Sequence, residues 1–168
     1  WRNPRIQYAE KAIGKNGKIF KMYKFRTMVT NADEILNAML QDEEIKKEYY
    51  TYRKLRNDPR LTKFGKILRA KSLDEFPQFI NVLKGEMSLV GPRPYLPREK
   101  EDMQEHYSSI IKCKPGVTGF WQISGRSETT FSDSLQMDTE YSYNRTLKTD
   151  VKILFKTVKK VLSKEGAI

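Results

Sequence analysis

The stretch SLDEFPQF, residues 72–79, sets two carboxylates side by side. Its first four residues match a capping box, in which the Ser72 hydroxyl accepts from a backbone N–H and the Glu75 carboxylate reaches back. Pro77 conflicts with a helix that begins at Ser72, because its ring and its missing N–H disfavour a helix interior. The regular helix is therefore predicted to begin at Asp74 or Glu75. Both carboxylates would then stand at its positive end, although the eight residues taken alone favour a purely structural capping role.

Basic residues on stiffened backbone flank this pair and suit a phosphate ligand. Arg93 stands between two prolines, and a pre-ordered guanidinium loses less entropy when it binds an oxyanion. KFRT (24–27), Arg69 and Arg126 add further cations, although a solvated surface role is the more common one for a single arginine. An ionised Asp can attack phosphorus and form an acyl phosphate, while its neighbour holds a cation or orients the site. The pattern therefore favours phosphoryl transfer.

Composition limits the kinds of ligand that the protein can use. The 168 residues suit one domain, and 32 Lys and Arg against 21 Asp and Glu give a net charge of +11. Such a charge favours nucleic acid, anionic lipid headgroups or phosphorylated substrates. One cysteine, Cys113, and one histidine, His106, exclude a zinc cluster of the usual spacing, so any metal is predicted to be a hard cation such as Mg²⁺ on oxygen ligands. A lone cysteine also permits no internal disulfide and is typical of a core residue.

The relation to a membrane depends on the two ends of the sequence. No stretch approaches 18 apolar residues, so no membrane span is predicted. WRNP (1–4) has no apolar signal-peptide region and no initiator Met, so we expect a fragment or a trimmed chain, and a membrane segment upstream stays open. A basic amphipathic helix is predicted over about 147–164, with Val151, Phe155 and Val158 in its apolar stripe. Such a helix either lies on a membrane surface or packs on a core, and both interpretations stay open.

The elements that must position the candidate residues begin with a hairpin. Asn16-Gly17 predicts a β-hairpin over 12–28, because both central residues of its turn need positive φ. A long helix is then predicted from about Asn31, which pairs with Glu34 in a capping box, to the NDP sequence at 57–59.

Shorter elements follow in the second half of the chain. Thr62 is predicted to cap a helix over 63–70, and the helix after Pro77 ends at Lys84-Gly85. Three further segments are a short strand and stiff loop at 87–94, a polar helix at 97–112 and turn-rich β-formers at 113–126. The predicted fold is α+β: a single compact domain over 1–168 with an N-terminal β-hairpin, short strands and several amphipathic helices.

Four segments, in this order, resemble the bacterial sugar transferase family: KFRTM, NDPRLTKFGKILRAKSLDEFPQFINVLKGEMSLVGPRP, KPGVTGFWQISGR and MDTEYSYNRTLKTDVKIL. The resemblance covers nearly the whole chain, from about Ile13 to Leu162. It implies a monotopic phosphoglycosyl transferase that moves a sugar 1-phosphate from a UDP-sugar to undecaprenyl phosphate, requires Mg²⁺ and releases UMP. It also implies the cytoplasmic face of the bacterial membrane, a role in exopolysaccharide, capsule or O-antigen assembly, and admits a homodimer.

The resemblance also implies roles for individual residues. Asp74 becomes the nucleophile, which forms a covalent phosphosugar intermediate, and a metal ligand; Glu75 becomes its catalytic partner. Arg93 matches the phosphate-binding Arg of the family's Pro-Arg-Pro loop. The other matched positions are assigned to the phosphate or nucleotide region: Arg69, Arg126, Asp138 and Asp150. For the two acids of that set, a surface or helix-cap role stays open.

The resemblance leaves the sugar and the membrane anchor undecided. VGPRPYLPRE and GFWQISGRS are most similar to members that act on hexose 1-phosphates such as galactose or glucose, and N-acetylated sugars stay open. The family's hydrophobic re-entrant helix has no match in this sequence.

Two other functions stay open. A basic nucleic-acid-binding module would suit the charge and the aromatic residues, but the sequence has no RRM, KH or helix-turn-helix pattern, so nucleic acid is not a predicted partner. A non-catalytic scaffold domain of the same family would bind a UDP-sugar without releasing UMP. Polyanion binding with a steep salt dependence would identify the first, and the absence of UMP release would identify the second.

Overall fold

The computed structural model describes residues 7–125 and 129–163. Within these ranges the strands are β1 (Gln7–Ile13), β2 (Ile19–Phe25), β3 (Ser88–Val90) and β4 (Gly116–Thr118). The helices are α1 (Ala32–Met39), α2 (Glu43–Tyr52), α3 (Lys63–Ala70), α4 (Gln78–Leu83), α5 (Tyr107–Ile110), α6 (Phe120–Ser124), α7 (Phe131–Asn144) and α8 (Leu147–Ser163). Short 3₁₀ turns occupy Lys15–Gly17, Pro97–Glu99 and Gln104–His106. This mixture confirms the predicted α+β class.

The N-terminal hairpin forms as predicted. β1 and β2 pair antiparallel, and their tight end places Ile13 opposite Ile19. Asn16 and Gly17 have φ of 58° and 76°, the left-handed values that the turn requires. The strands reach back to Gln7, before the predicted boundary at residue 12.

The long helix predicted from Asn31 to about residue 56 is wrong. Two helices occupy the range, because the Asp42 side chain accepts from the backbone N–H groups of Glu44 at 2.9 Å and Ile45 at 3.1 Å and so begins α2. Such a side-chain bond competes with continuation of the preceding helix. Among the described residues, the Asn31 side chain makes no cap bond to α1, so the capping box predicted there is also wrong.

α3 forms as predicted and docks on the chain that leaves β2. Thr62 Oγ1 accepts from the Gly65 N–H at 2.9 Å, as expected of its cap. The backbone N–H and the hydroxyl of Thr62 donate to the Thr27 carbonyl at 3.0 and 3.2 Å. A Cβ on Gly65 would overlap that same carbonyl oxygen. The first turn of α3 therefore lies so close to Thr27 that only glycine fits.

Ser72 ends α3 and does not begin the next helix, which corrects the capping-box prediction. Its φ is 54°, in the left-handed region. The Ser72 N–H donates to the Arg69 carbonyl at 3.0 Å, and the Leu73 N–H donates to the Leu68 carbonyl at 2.9 Å. These two bonds and the left-handed residue form a Schellman motif. The hydrogen bonds of α3 therefore fix the direction in which the chain enters the acidic pair.

α4 begins at Gln78, later than the predicted start at Asp74 or Glu75. Pro77 has no N–H to donate, and it disfavours helical backbone in the residue before it. The Gln78 N–H bonds only three residues back, to the Glu75 carbonyl at 2.9 Å. Asp74 and Glu75 consequently lie in a tight turn that leads into the helix.

β3 and β4 pair in parallel and bring two separate sequence motifs together. The ladder continues beyond the strands: the Gly91 N–H donates to the Thr118 carbonyl at 3.0 Å, and the Gly116 N–H donates to the Pro92 carbonyl at 2.8 Å. A Cβ on either glycine would overlap the facing backbone. The Pro-Arg-Pro loop therefore begins directly beside Gly116, the first residue of β4.

Three segments in the second half of the chain differ from the sequence prediction. The polar helix predicted over 97–112 is wrong: two 3₁₀ turns and α5 occupy this range, because Gln104 has a left-handed φ of 47°, which a continuous α-helix does not admit. The turn-rich segment predicted to contain β-formers includes the short helix α6. α7 was not predicted, although Thr130 and Asp133 form a capping box at its start, which is its sequence signal.

Clusters of buried side chains join these elements. Within the described residues, one cluster packs the hairpin on Met87 and the partly buried Val82 of α4. Another joins Ile13, Tyr95 and Phe131, and so ties the hairpin to α7. Cys113 is buried, as predicted for a core cysteine.

α8 confirms the helix predicted at the end of the chain and exposes part of its apolar stripe. Ile153 is 1% exposed and packs with Val90 and Tyr141. Phe155 and Val158 are 76% and 58% exposed. These two side chains of the stripe therefore face solvent, whereas Leu154 is partly buried against the core. Across residues 7–125 and 129–163, none of the helices has the length and apolar character that crossing a membrane requires.

Candidate active site

The acidic turn is fixed to the end of β2 by main-chain and side-chain bonds. The Phe25 N–H donates to the Asp74 carbonyl at 2.9 Å. Asn81 of α4 is fully buried; its Oδ1 accepts from the Tyr23 N–H at 3.0 Å, and its Nδ2 donates to the Lys21 carbonyl at 2.7 Å. One amide therefore holds α4 against the edge of β2. The turn that carries Asp74 and Glu75 is positioned by these contacts.

α4 buries polar side chains and exposes apolar ones. Gln78 and Asn81 are 1% and 0% exposed, whereas Phe79, Ile80 and Leu83 are 42%, 46% and 88% exposed. This is the reverse of an ordinary surface helix, which turns its apolar stripe inward. The polar atoms of α4 therefore face the protein interior.

A cavity of about 130 Å³ lies where the acidic turn, the Pro-Arg-Pro loop and α6 meet. Its charged lining residues are Glu10, Lys24, Glu75 and Arg93. The structure thus brings Glu75 and Arg93, which are 18 positions apart in the sequence, to one cavity. Asp74 precedes Glu75 in the same turn and is half-buried.

Arg93 is held rigidly and charged. Its Nη2 donates to Glu99 Oε1 at 2.7 Å, and its guanidinium carbon lies 5.1 Å from the centre of the Tyr95 ring and 5.8 Å from that of Phe131. Burial disfavours the charged form, but the Glu99 carboxylate and its neighbours outweigh that cost and raise the pKa of Arg93. A guanidinium has five N–H donors, so this bond leaves others for an oxyanion.

Asp138 lies behind the Pro-Arg-Pro loop. It is 0% exposed, and its Oδ2 accepts from the Arg93 backbone N–H and from the Tyr95 hydroxyl, both at 2.9 Å. Burial raises the pKa of Asp138 to about 7, although those two hydrogen bonds oppose the rise. The contact with phosphate predicted for Asp138 stays a prediction, because the contacts that the structure shows are with the loop that carries Arg93.

The remaining predicted residues have different positions. Arg69 Nε donates to Thr27 Oγ1 at 3.1 Å, so Arg69 and Asp74 flank the chain that leaves β2. Asp150 accepts from the Tyr141 hydroxyl at 2.7 Å and so ties α8 to α7. Arg126 lies outside the described residues. Phosphate or nucleotide binding by these three residues stays a prediction.

A second cavity, of about 190 Å³, shares Arg93 and Trp121 with the first. Arg53 and Lys54 also line it, and burial and the Arg93 charge lower the pKa of Lys54 to about 8. Arg53 pairs with Asp102 at 2.6 Å. Arg53 and Lys54 were not predicted as site residues from the sequence. The run YRKLR at 52–56, with its three cations, was the signal that could have indicated them. The concentration of cations favours an anionic occupant.

The paired carboxylates fit a Mg²⁺ ion that is shared with a phosphate ligand. Mg²⁺ in phosphate sites is commonly held by one or two carboxylates, with the remaining ligands from water and phosphate oxygens. Among the described residues, no group of three or more His, Cys, Asp or Glu side chains could hold a metal alone. Asp74 and Glu75 therefore suit a metal that arrives with its substrate, and Mg²⁺ stays a prediction.

Sequence reasoning also overlooked three uncharged residues of the first cavity. Gln78 Nε2, Trp121 Nε1 and Gln122 Oε1 are buried side-chain atoms that have no hydrogen-bond partner among the described residues. All three residues line the cavity that contains Glu75. The sequence signal was the spacing of Gln78 and Asn81, three residues apart in an otherwise apolar helix. That spacing places both amides on one helix face.

Comparison with known proteins supports the resemblance drawn from the motifs. Residues 2–164 match the family model described as bacterial sugar transferase. The chain belongs to the bacterial sugar transferase family. This confirms the resemblance drawn from the motifs, and with it the assignment of this domain to a transferase.

Relatives of this transferase come from several bacteria. An uncharacterized sugar transferase of Haemophilus influenzae is 47% identical over 161 residues, which are 95% of this chain and 34% of the relative. An undecaprenyl-phosphate galactose phosphotransferase of Salmonella typhimurium is 45% identical over 161 residues, with the same coverage. The exopolysaccharide production protein ExoY of Sinorhizobium fredii is 42% identical over 163 residues, which are 96% of this chain and 72% of the relative. The chain thus spans about a third of the length of the first two relatives.

Proposed function

We propose that the protein containing this chain transfers a sugar 1-phosphate from a UDP-sugar to undecaprenyl phosphate and releases UMP. The sugar is a hexose, and the product begins the assembly of an exopolysaccharide, capsule or O-antigen at the cytoplasmic face of the membrane. Family membership and the name of the Salmonella relative support this proposal. The observation that carries it is the cavity in which the acidic turn meets the charged, rigid Arg93.

The proposed reaction has two displacements at one phosphorus atom. A carboxylate oxygen of Asp74 attacks the phosphorus that bears the sugar, an O–P bond forms, and the bond to UMP breaks so that UMP leaves with the electron pair. An oxygen of undecaprenyl phosphate then attacks the phosphorus of the aspartyl phosphosugar. That step forms the lipid diphosphate sugar and returns Asp74 as a carboxylate.

The neighbouring residues stabilise charge and hold geometry. Arg93 donates to phosphate oxygens, and because Glu99 and the Asp138 bond already fix it, little reorganisation is needed when charge develops. Glu75, in the same cavity, would hold Mg²⁺ together with Asp74 and the diphosphate. When bound, that ion supplies neutralisation of the phosphate charge.

The lipid acceptor requires contact with a membrane surface, and two helices offer it. α4 exposes Ile80 and Leu83, and α8 exposes Phe155 and Val158. The lysines interspersed along α8 suit anionic headgroups. We assign these faces to the membrane surface. The homodimer admitted by the resemblance stays a prediction.

Asp74→Asn tests the reaction directly. With full-length protein, Mg²⁺, undecaprenyl phosphate and UDP-galactose or UDP-glucose, the variant is expected to lose both UMP release and the protein-bound sugar phosphate detected by intact-protein mass spectrometry. The reason is that a neutral amide cannot form the acyl phosphate. Asp33→Asn, an exposed site on α1, is the matched control and is expected to keep both signals.

The outcomes separate the competing functions. Near-normal turnover by Asp74→Asn contradicts the proposed nucleophile. Wild-type protein that binds UDP-galactose but releases no UMP fits the scaffold alternative. Polyanion binding that falls steeply with salt, without binding of a UDP-sugar, fits the nucleic-acid alternative.

A further inference from the structure

We propose that Gln78, Trp121 and Gln122 bind the hydroxyl groups of the donor sugar and form the subsite that selects the sugar. This inference rests on the proposed function, and it assigns a substrate group to one part of the cavity. The assigned group is the uncharged hexose ring, whereas Arg93 and the acidic turn are assigned to the diphosphate.

The first support is the concentration of unsatisfied polar atoms. Gln78 Nε2, Trp121 Nε1 and Gln122 Oε1 are all buried without a partner in the part of the chain that the structure describes. Folded proteins satisfy most buried polar groups, so each exception needs an explanation. Three exceptions around one cavity have a common explanation, which is a polar ligand that completes their hydrogen bonds.

The second support is that the fold fixes these atoms. Gln122 Nε2 donates to the Val117 carbonyl at 3.2 Å, and this bond leaves Oε1 as the free end of the amide. α6, which carries Trp121 and Gln122, starts at Gly119, where a Cβ would overlap the Gly91 carbonyl oxygen. Gln78 is 1% exposed at the start of α4. The polar atoms are therefore preorganised by backbone packing, as a specific binding site requires.

The third support is the chemistry of the set. It consists of two N–H donors and one amide oxygen acceptor, and none of them is charged. A hydroxyl group both donates and accepts, so a ring that carries several hydroxyls can satisfy the whole set. The indole of Trp121 adds an apolar surface for the C–H groups of a sugar ring. A cavity of about 130 Å³ exceeds the space that a single water molecule needs.

The consequence is selectivity by hydroxyl geometry. A site that hydrogen-bonds a substrate hydroxyl rejects an analogue that lacks it or presents it elsewhere, because the protein groups are then left buried and unpaired. Removing one of these protein groups should relax the choice between epimeric sugars. It should leave recognition of the uridine nucleotide unchanged.

The test uses full-length protein and four donors: UDP-galactose, UDP-glucose and their N-acetylated counterparts. Trp121→Phe keeps a ring and removes the N–H donor; Gln122→Leu removes the amide oxygen. Each is expected to lower kcat/KM for the preferred donor about tenfold or more and to reduce its preference over the epimer. The affinity for UMP, measured by calorimetry, is expected to stay within twofold. Gln41→Leu, the same change at an exposed position after α1, is the matched control and is expected to alter none of these values.

Calorimetry with UDP and with UDP-sugars separates this inference from the proposed function. The preferred UDP-sugar is expected to bind wild-type protein more tightly than UDP does, and both variants are expected to lose that difference. If no donor releases UMP but this binding pattern holds, the proposed function fails and the subsite stands. The opposite result would be that folded Trp121→Phe and Gln122→Leu keep the wild-type donor preferences and still bind the preferred UDP-sugar more tightly than UDP. The cavity then does not recognise the sugar, and the inference is overturned.

Discussion

Asp138 shows how a single buried carboxyl can act through its neighbours. It holds Arg93 by the backbone and Tyr95 by the hydroxyl, and it has no exposed surface. Its Oδ1 has no partner within the described residues, so this oxygen is the natural place for a proton. The protonated carboxyl keeps both hydrogen bonds at Oδ2 and removes a buried charge.

The stability of the protein should therefore depend on the ionisation of Asp138. Its pKa is raised from the ordinary 3.8 to about 7, so the folded state binds the proton more tightly than the unfolded chain. The contribution to stability is fully present below pH 3.8 and is lost as the pH rises through about 7. Asp138→Asn mimics the protonated form. In urea unfolding, the free energy of unfolding of the wild type is expected to fall by a few kcal/mol from pH 5 to pH 8, relative to that of this variant. Parallel pH profiles would contradict this account.

The candidate site could be predicted residue by residue but not as a cavity. The chemistry of Asp74, Glu75 and Arg93 follows from residue type, local prolines and the family motifs. The meeting of Glu75 with Arg93 depends on the parallel pairing of β3 with β4, whose paired residues, such as Ser88 and Gly116, are far apart in the sequence. The role of Gln78 was hidden for a different reason: a buried amide in a helix is visible only once the packing of that helix is known.

At the scale of elements, α3 packs closely against the chain after β2. Thr62 and Gly65 surround the Thr27 carbonyl, and Arg69 on the same helix reaches Thr27 Oγ1. α3 thereby sets the position of Arg69 relative to the end of β2. The sequence predicted the bounds of α3, but it carried no information on what the helix packs against.

Gly65→Ala should destabilise the protein although alanine is the better helix former. Alanine is favoured over glycine in a helix interior by about 1 kcal/mol. Here its Cβ would overlap the Thr27 carbonyl oxygen, and such overpacking costs about 1–3 kcal/mol or more. Denaturant unfolding is expected to show a net loss of stability. Ala38→Gly, at an exposed site on α1, is the control. There the glycine variant is expected to be less stable than the wild type, as is usual in a helix. A gain of stability in Gly65→Ala would contradict the packing described.

Element boundaries were the weakest part of the sequence prediction, for identifiable reasons. Ser72 carries a hydroxyl that suits a helix start, and its left-handed φ instead ends α3. Asp42 divides a periodic apolar pattern that reads as one helix. In both places a short polar side chain is compatible with either structure, and the choice depends on hydrogen bonds to backbone groups two to five positions away, or on the packing of the helix. The hairpin was predicted well because its turn requires positive φ, which Asn16 and Gly17 adopt and few other residues do.

At the scale of the whole molecule, charge and exposed apolar side chains act together. The chain carries a net charge of +11, and α8 presents Phe155 and Val158 to solvent between its lysines. Neither feature alone indicates a membrane, since basic surfaces also bind other polyanions. Their combination on one helix is typical of an element that lies in the headgroup layer.

Phe155→Asp should weaken binding of the 168-residue chain to anionic vesicles. Phe155 is 76% exposed, and transfer of a phenylalanine side chain out of water contributes about 1.5–3 kcal/mol. Losing that contribution and adding a negative charge is expected to lower the vesicle partition coefficient at least tenfold in a sedimentation assay. Ile19→Asp, at a site of the hairpin that is 52% exposed, is the control and is expected to have a much smaller effect. If the partition coefficient falls equally in the two variants, the binding depends on net charge alone.

The inverted polarity of α4 has a further consequence for how two unlike substrates meet. Its inner side carries Gln78, which belongs to the proposed sugar subsite, and its outer side carries Ile80 and Leu83. A helix with its side chains is only about 10–12 Å across. On the proposed function, a water-soluble nucleotide sugar and a lipid-dissolved carrier would be separated by no more than that thickness. The nucleotide would stay in water and the carrier in the membrane, and only the sugar phosphate would have to pass from one to the other.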